Sequence, residues 1–193
     1  MHQIIQTSIT ESIAVKQAIL GDEAFQQKIK QAAEICIRTF QSDGKVLFCG
    51  NGGSAADAQH ISAELSGRFY TDRPPLYAEA LHVNSSYVTA VANDYGYDDV
   101  YARMLQAAGR SGDVLVAIST SGNSSNILKT IAMARQQNMT VIGMTGASGG
   151  KMCDLCDVLL NVPSSDTPRI QESHILIGHI ICQIIEREMF LEL

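Results

Sequence analysis

Residues 46 to 64, VLFCGNGGSAADAQHISAE, set an apolar run, a glycine-rich turn and a His/Glu pair in succession. The stretch reads as a buried strand over Val46, Leu47, Phe48 and Cys49, a turn over Gly50-Asn51-Gly52-Gly53, and a helix opening at Ser54. Glycine reaches positive φ and lets a backbone come close to a ligand. A helix that starts after such a turn points unpaired N–H groups and a partial positive charge at whatever sits there, commonly an anion. His60 and Glu64 stand four residues apart and so share one helix face. An anion cradle followed by such a pair describes a site as well as a fold element.

A second loop carries the same kind of chemistry. Val114 to Ile118 is a continuous apolar run, a strand buried on both faces. It ends in Ser119-Thr120-Ser121-Gly122-Asn123-Ser124, with a helix from about Ser125 to Gln136. Four hydroxyls and the N–H groups of a helix start can hold a phosphate without any cation. Helix capping by Ser124 accounts for one of the serines and not for the set. Neither loop has P-loop spacing, and Gly50-Asn51-Gly52-Gly53 is not GxGxxG. A phosphorylated small molecule fits better than a nucleotide.

Of the histidines, His2 and His82 suggest no role. His174 and His179 lie in RIQESHILIGHIICQII, a strongly apolar helix, where a buried polar group must find a partner. Either one alone reads as a bonded core histidine. With His60, Glu64, Gln171 and Glu172 they form a metal or acid/base set. Gln171 and His179 lie about 12 Å apart along one helix and roughly 80° apart around it. Glu172 and His179 align better, and spacing alone leaves the choice between Gln171 and Glu172 open.

These residues need positioning elements. Helices are expected over 3–20, with Ile5, Ile9 and Ile13 as a stripe, and over 23–41, with Phe25, Ile29, Ala33, Cys36, Ile37 and Phe40 as its face. Such a pair either packs against another subunit, the preferred reading, or covers the domain's own sheet. Downstream, strands are expected at 77–81, 114–118, 140–145 and 158–162, and helices at 85–93, 98–108, 125–136 and 169–190. Alternation of this kind predicts an open α/β fold, a parallel sheet wrapped by helices, in one domain over 1–193. Its ligands belong at the carboxyl ends of the strands. The loop 146–157 holds Cys153-x-x-Cys156, only two ligands where a structural zinc needs four.

A net charge of −6 with no basic run argues against a nucleic-acid surface. No apolar run reaches the ~18 residues of a membrane span, and the start lacks signal-peptide character, so a cytoplasmic protein is expected. The odd count of five cysteines suits reduced thiols.

CGNGGSAADAQHISAELSGRF, VANDYGYDDVYAR, AISTSGNSSNI, MTGASGGKM and RIQESHILIGH together resemble the phosphoheptose (sedoheptulose 7-phosphate) isomerases of the sugar-isomerase (SIS) domain group, over nearly the full chain. The resemblance implies a flavodoxin-like parallel sheet between helices and a homotetramer with active sites at subunit junctions, residues 1–43 serving as a helical oligomerisation segment. It implies zinc, one per subunit, on His60, Glu64, Gln171 and His179, and so chooses Gln171. It implies substrate contacts from Asn51, Gly52, Gly53, Glu64, Asn93, Asp94, Ser119, Thr120, Ser121, Ser124 and Gln171, with Glu64 and His179 catalytic. The implied reaction turns sedoheptulose 7-phosphate into D-glycero-D-manno-heptose 7-phosphate through an enediol, towards ADP-heptose for the lipopolysaccharide core. The same group contains a non-catalytic adaptor that binds the bacterial replication initiator. That relative departs at the Glu64 and Ser121 positions, which are filled here.

Overall fold

The computed structural model describes residues 1–191. Helices α1 (His2–Gly21) and α2 (Glu23–Gln41) precede the sheet. Then come β1 (Val46–Gly50), α3 (Gly53–Ser66), β2 (Ala78–Ala80), α4 (Ser85–Tyr95), α5 (Val100–Ala108), β3 (Val114–Ile118), α6 (Ser125–Gln136), β4 (Thr140–Thr145), β5 (Val158–Asn161) and α7 (Thr167–Phe190). The five strands are all parallel, in the order β2-β1-β3-β4-β5. The expected open α/β fold is therefore present, with boundaries that move by a residue or two. The larger change is at 97–99, a single 3₁₀ turn ahead of α5. Gly96, at φ 94°, turns the chain there and ends α4.

Strand residues alternate between two cores, as the pleat requires. Val46, Phe48, Val114 and Val116 face α2, α3 and α7, while Leu47, Cys49, Leu115 and Ala117 face α4, α5 and α6. α2 begins at Asp22, whose side chain accepts from the Phe25 N–H, and Asn84 caps α4 through Tyr87. Phe25, Ile29, Ala33, Cys36 and Phe40 are buried on the domain's own core, so α2 covers this sheet. α1 behaves differently. Ile5, Ile9 and Ile13 are half-exposed; Ile19 and Val15 pack on the core near the helix's end, and polar ties hold the earlier turns to α7. In those ties Ser12 donates to Glu172 at 2.7 Å, and Arg169 bonds the Ser8 carbonyl and Glu172.

α3 and α7 lie side by side and run the same way. Ile61 fills the space where a side chain at Gly178 would stand, so the two helices touch closely at that level. This contact sets the site.

Candidate active site

β1 ends in the turn Gly50-Asn51-Gly52, and Gly52 adopts φ 56° with ψ −120°, a combination that only glycine takes without strain. α3 starts at once and presents Gly53, Asp57, His60 and Glu64 along one face. α7 lies against that face with Gln171 opposite Gly53 and His179 opposite His60. His60 Nε2 stands 3.0 Å from Glu64 Oε1 and 3.3 Å from His179 Nε2. One ring nitrogen has at most one hydrogen, so it cannot satisfy both neighbours as a donor. The ligand atoms of His60, Glu64 and His179 all lie within 4.8 Å of one another. Zinc bonds of about 2.0–2.2 Å would space tetrahedral donors roughly 3.3–3.6 Å apart, and two imidazoles with a carboxylate are ordinary ligands for that ion. The triad thus fits a metal in both spacing and chemistry.

Gln171 is not packed among these three. Its carboxamide lies against the first turn of α3, where a Cβ on Gly53 would come within 2.6 Å of Nε2. Gly53 is about two helical turns from His60. Glu172, its rival by spacing, points to Ser12 and Arg169 beside α1 and away from the triad. His174 also stands apart. It is fully buried, its Nε2 donates to the Thr145 carbonyl at 3.1 Å, and burial pulls its pKa down to about 4 although that hydrogen bond works the other way.

Two neighbours escaped the sequence reading. Asp57 lies between Gly53 and His60 on the active face, with Oδ2 buried and unbonded. Burial pushes its carboxyl up to about 6, against the pull of His60. Glu186 accepts from the Phe69, Tyr70 and Thr71 N–H groups and from Arg73. Burial alone would raise the Glu186 carboxyl, and the backbone hydrogen bonds outweigh it and hold it low. This knot fixes the 67–73 loop, whose Phe69 ring lies 5.7 Å from that of His179. Asp57 sits three residues before His60 and seven before Glu64, a spacing that could have marked it, whereas Glu186 acts across elements and no spacing marks it.

The second loop is adjacent because β1 and β3 are neighbours, with Gly50 paired to Ile118. Ser119 Oγ and Ser124 Oγ lie 3.0 Å apart. Ser124 makes no side-chain cap bond, so capping is not what places it. Gly122, at φ 65°, packs on Gly149, and Asn123 Oδ1 accepts from the Lys151 N–H. The loop MTGASGGKM is therefore a buttress under the serines. Among the described residues, no third donor joins Cys153 and Cys156. Asn93 and Asp94 are exposed at the end of α4 and bond each other at 2.9 Å. The neighbours Tyr97, Asp98 and Tyr101 reach the site's frame instead, through Asn51, Ser125 and the Gly50 carbonyl.

Residues 11–146 match the family described as the SIS domain. A phosphoheptose isomerase of Aneurinibacillus thermoaerophilus is 52% identical over 190 residues, 98% of this chain and 96% of that one. The chain belongs to the phosphoheptose isomerase family. Two solved phosphoheptose isomerases superpose on it closely. The Neisseria gonorrhoeae structure gives a TM-score of 0.90 at 45% identity, covering 96% of this chain and 98% of that one. The Francisella tularensis structure gives 0.92 at 39% identity, covering 96% and 97%.

Proposed function

We propose that this protein is an aldose–ketose isomerase that interconverts sedoheptulose 7-phosphate and D-glycero-D-manno-heptose 7-phosphate. The observation that carries the reading is the convergence of His60, Glu64 and His179 beside a serine cradle, in a chain about half identical to phosphoheptose isomerases. Ser119, Thr120, Ser121 and Ser124 take the phosphate, aided by the α6 N-terminus. The Asn51-Gly52-Gly53 backbone and Gln171 take the reacting end, with Asn93 and Asp94 reaching the sugar hydroxyls from the rim. Glu64 removes the proton from C1. Its Oε1 faces His60, and the second oxygen serves as the base. Glu64 then delivers that proton to C2 of the enediol, and His179 carries the O1 hydroxyl proton to O2, so both protons are accounted for and both side chains end in their starting states. Both ends of the substrate are held while the proton moves a short distance, which is a proximity contribution.

His60, Glu64 and His179, joined by Gln171, would hold zinc, the metal that suits this donor set. Bound there, it would supply Lewis-acid polarisation of the carbonyl. The working form is a homotetramer. The exposed Ile5, Ile9 and Ile13 stripe and a groove of about 370 Å³ between α1, α2 and α7, lined by Leu20, Leu176, Ile180 and Ile184, give apolar surface for it to cover. No helix among the described residues is long and apolar enough to cross a membrane. The product would feed an activated heptose for surface polysaccharide.

The test is incubation with sedoheptulose 7-phosphate, with and without chelator, and detection of the aldose. Product that disappears on chelation and returns with zinc is expected. No product under any metal condition rejects the reading.

A further inference from the structure

The two loops that flank this site are tied together by one pair of carboxamides. Asn51 follows β1, and Asn126 lies in the first turn of α6. Asn51 Nδ2 donates to Asn126 Oδ1 at 2.9 Å, and Asn126 Nδ2 donates to Asn51 Oδ1 at 2.8 Å. Asn126 Oδ1 also accepts from the Ile127 N–H at 3.0 Å, and Asn51 Oδ1 from the Tyr97 hydroxyl at 3.4 Å. Asn126 is 3% exposed, so a broken pair would leave polar atoms stranded. A carboxamide offers a donor and an acceptor side by side in one plane, as this exchange requires; an ionised carboxylate offers acceptors alone.

The pair has a second consequence. It fixes the plane of the Asn51 carboxamide, using one of its two N–H donors. Asn51 leads directly into Gly52 and Gly53, against which Gln171 lies, and Asn126 follows Ser124 by two residues, with Ser119 Oγ 3.0 Å from Ser124 Oγ.

We infer that the Asn51–Asn126 pair fixes the distance between the phosphate cradle and the reacting end, and so selects the length of the sugar phosphate. The inference rests on the isomerase reading above. A ligand held at both ends must have a chain that matches the gap between its holders. A rigid tie makes a mismatch costly, while a loosened tie lets the loops adjust to other lengths. Asn126 is in this sense a positioning residue, acting on the substrate through Asn51 and the turn behind it.

Competition binding with non-reacting polyol phosphates of five, six and seven carbons tests this, with inorganic phosphate as a one-ended probe. The parent should prefer the seven-carbon ligand by roughly tenfold. Asn126→Asp keeps the acceptor for Ile127 and Asn51 but sets a carboxylate oxygen against Asn51 Oδ1. It should cut that preference to about threefold or less, while the added charge weakens every phosphate probe, inorganic phosphate included, by a common factor. Asn51→Asp makes the same break from the other side and should do the same. Thr130→Val is the stability control. Its hydroxyl is fully buried and donates to the Asn126 carbonyl at 2.6 Å, so the variant weakens the same helix without touching the pair. It should keep the parent's preference.

Either of two results overturns the inference: both Asp variants keep the parent's length preference, or the parent turns over its substrate with no length preference. A parent that neither binds nor converts sedoheptulose 7-phosphate rejects the isomerase reading, a separate failure.

Discussion

His174 makes the protein's stability depend on pH in a way that one substitution removes. The ring is fully buried beside Thr145, donating through Nε2, with Nδ1 unbonded. Burial lowers its pKa from 6.5 to about 4. The sign follows from which state takes the proton first. Between pH 6.5 and 4 the unfolded chain holds a proton here that the folded chain refuses, so acid favours unfolding. The contribution is complete above pH 6.5, fades as pH falls, and is gone near pH 4. That gap, at about 1.4 kcal/mol per tenfold change in proton concentration, comes to roughly 3 kcal/mol. His174→Gln keeps a donor near the Nε2 position and does not titrate. Urea unfolding of both proteins at pH 7, 6, 5 and 4, at one fixed protein concentration, measures the difference. The parent should lose about 3 kcal/mol more than the variant over that range. Equal pH slopes for the two would mean that His174 is not a buried neutral ring, and the core placement would be wrong. Metal content should be the same in both, because His174 stands apart from the triad.

Three further perturbations bear on the site itself. Glu64→Gln should lower kcat by about a hundredfold or more, with metal content measured alongside; full activity would end the assignment of Glu64 as base. Ser119→Ala with Ser124→Ala removes the hydroxyl pair at 3.0 Å and should raise KM about tenfold or more while kcat changes less; an unaltered KM would rule out the phosphate cradle. Gly53→Ala puts a methyl within 2.6 Å of the Gln171 carboxamide. Gly53 is the first residue of α3 and the methyl meets only the movable end of Gln171, so the melting temperature should change little while kcat falls several-fold. A drop in melting temperature with kcat intact would show that Gln171 has no part in turnover.

The strand–turn–helix at 46–64 was legible because its signals are local. Apolar runs bounded by glycine and serine define the strands, and the resulting alternation defines a parallel sheet. The sheet then explains why two loops far apart in sequence both mattered: parallel strands bring all their carboxyl ends to one edge. The Gln171/Glu172 ambiguity shows the limit. Neighbours on a helix differ by 100° in direction, and the sequence does not say which side faces α3. The packing of α7 on α1 and α3 decides it, sending Glu172 to Ser12 and Gln171 to Gly53. Likewise α2 and α1 look alike as amphipathic stripes, and only the packed fold separates the one that covers the core from the one left exposed.

By itself, then, the sequence determined which elements form and where the reactive types sit along them, since propensity and periodicity act over a few residues. The tertiary structure alone decided which of those side chains meet. His60 and His179 are separated by 119 positions, yet their Nε2 atoms come within 3.3 Å because a glycine at 178 lets α7 close on Ile61 of α3. The Asn51–Asn126 tie was decided the same way, by the pairing of β1 with β3. Contacts of that range depend on how whole faces pack, and no local spacing encodes them.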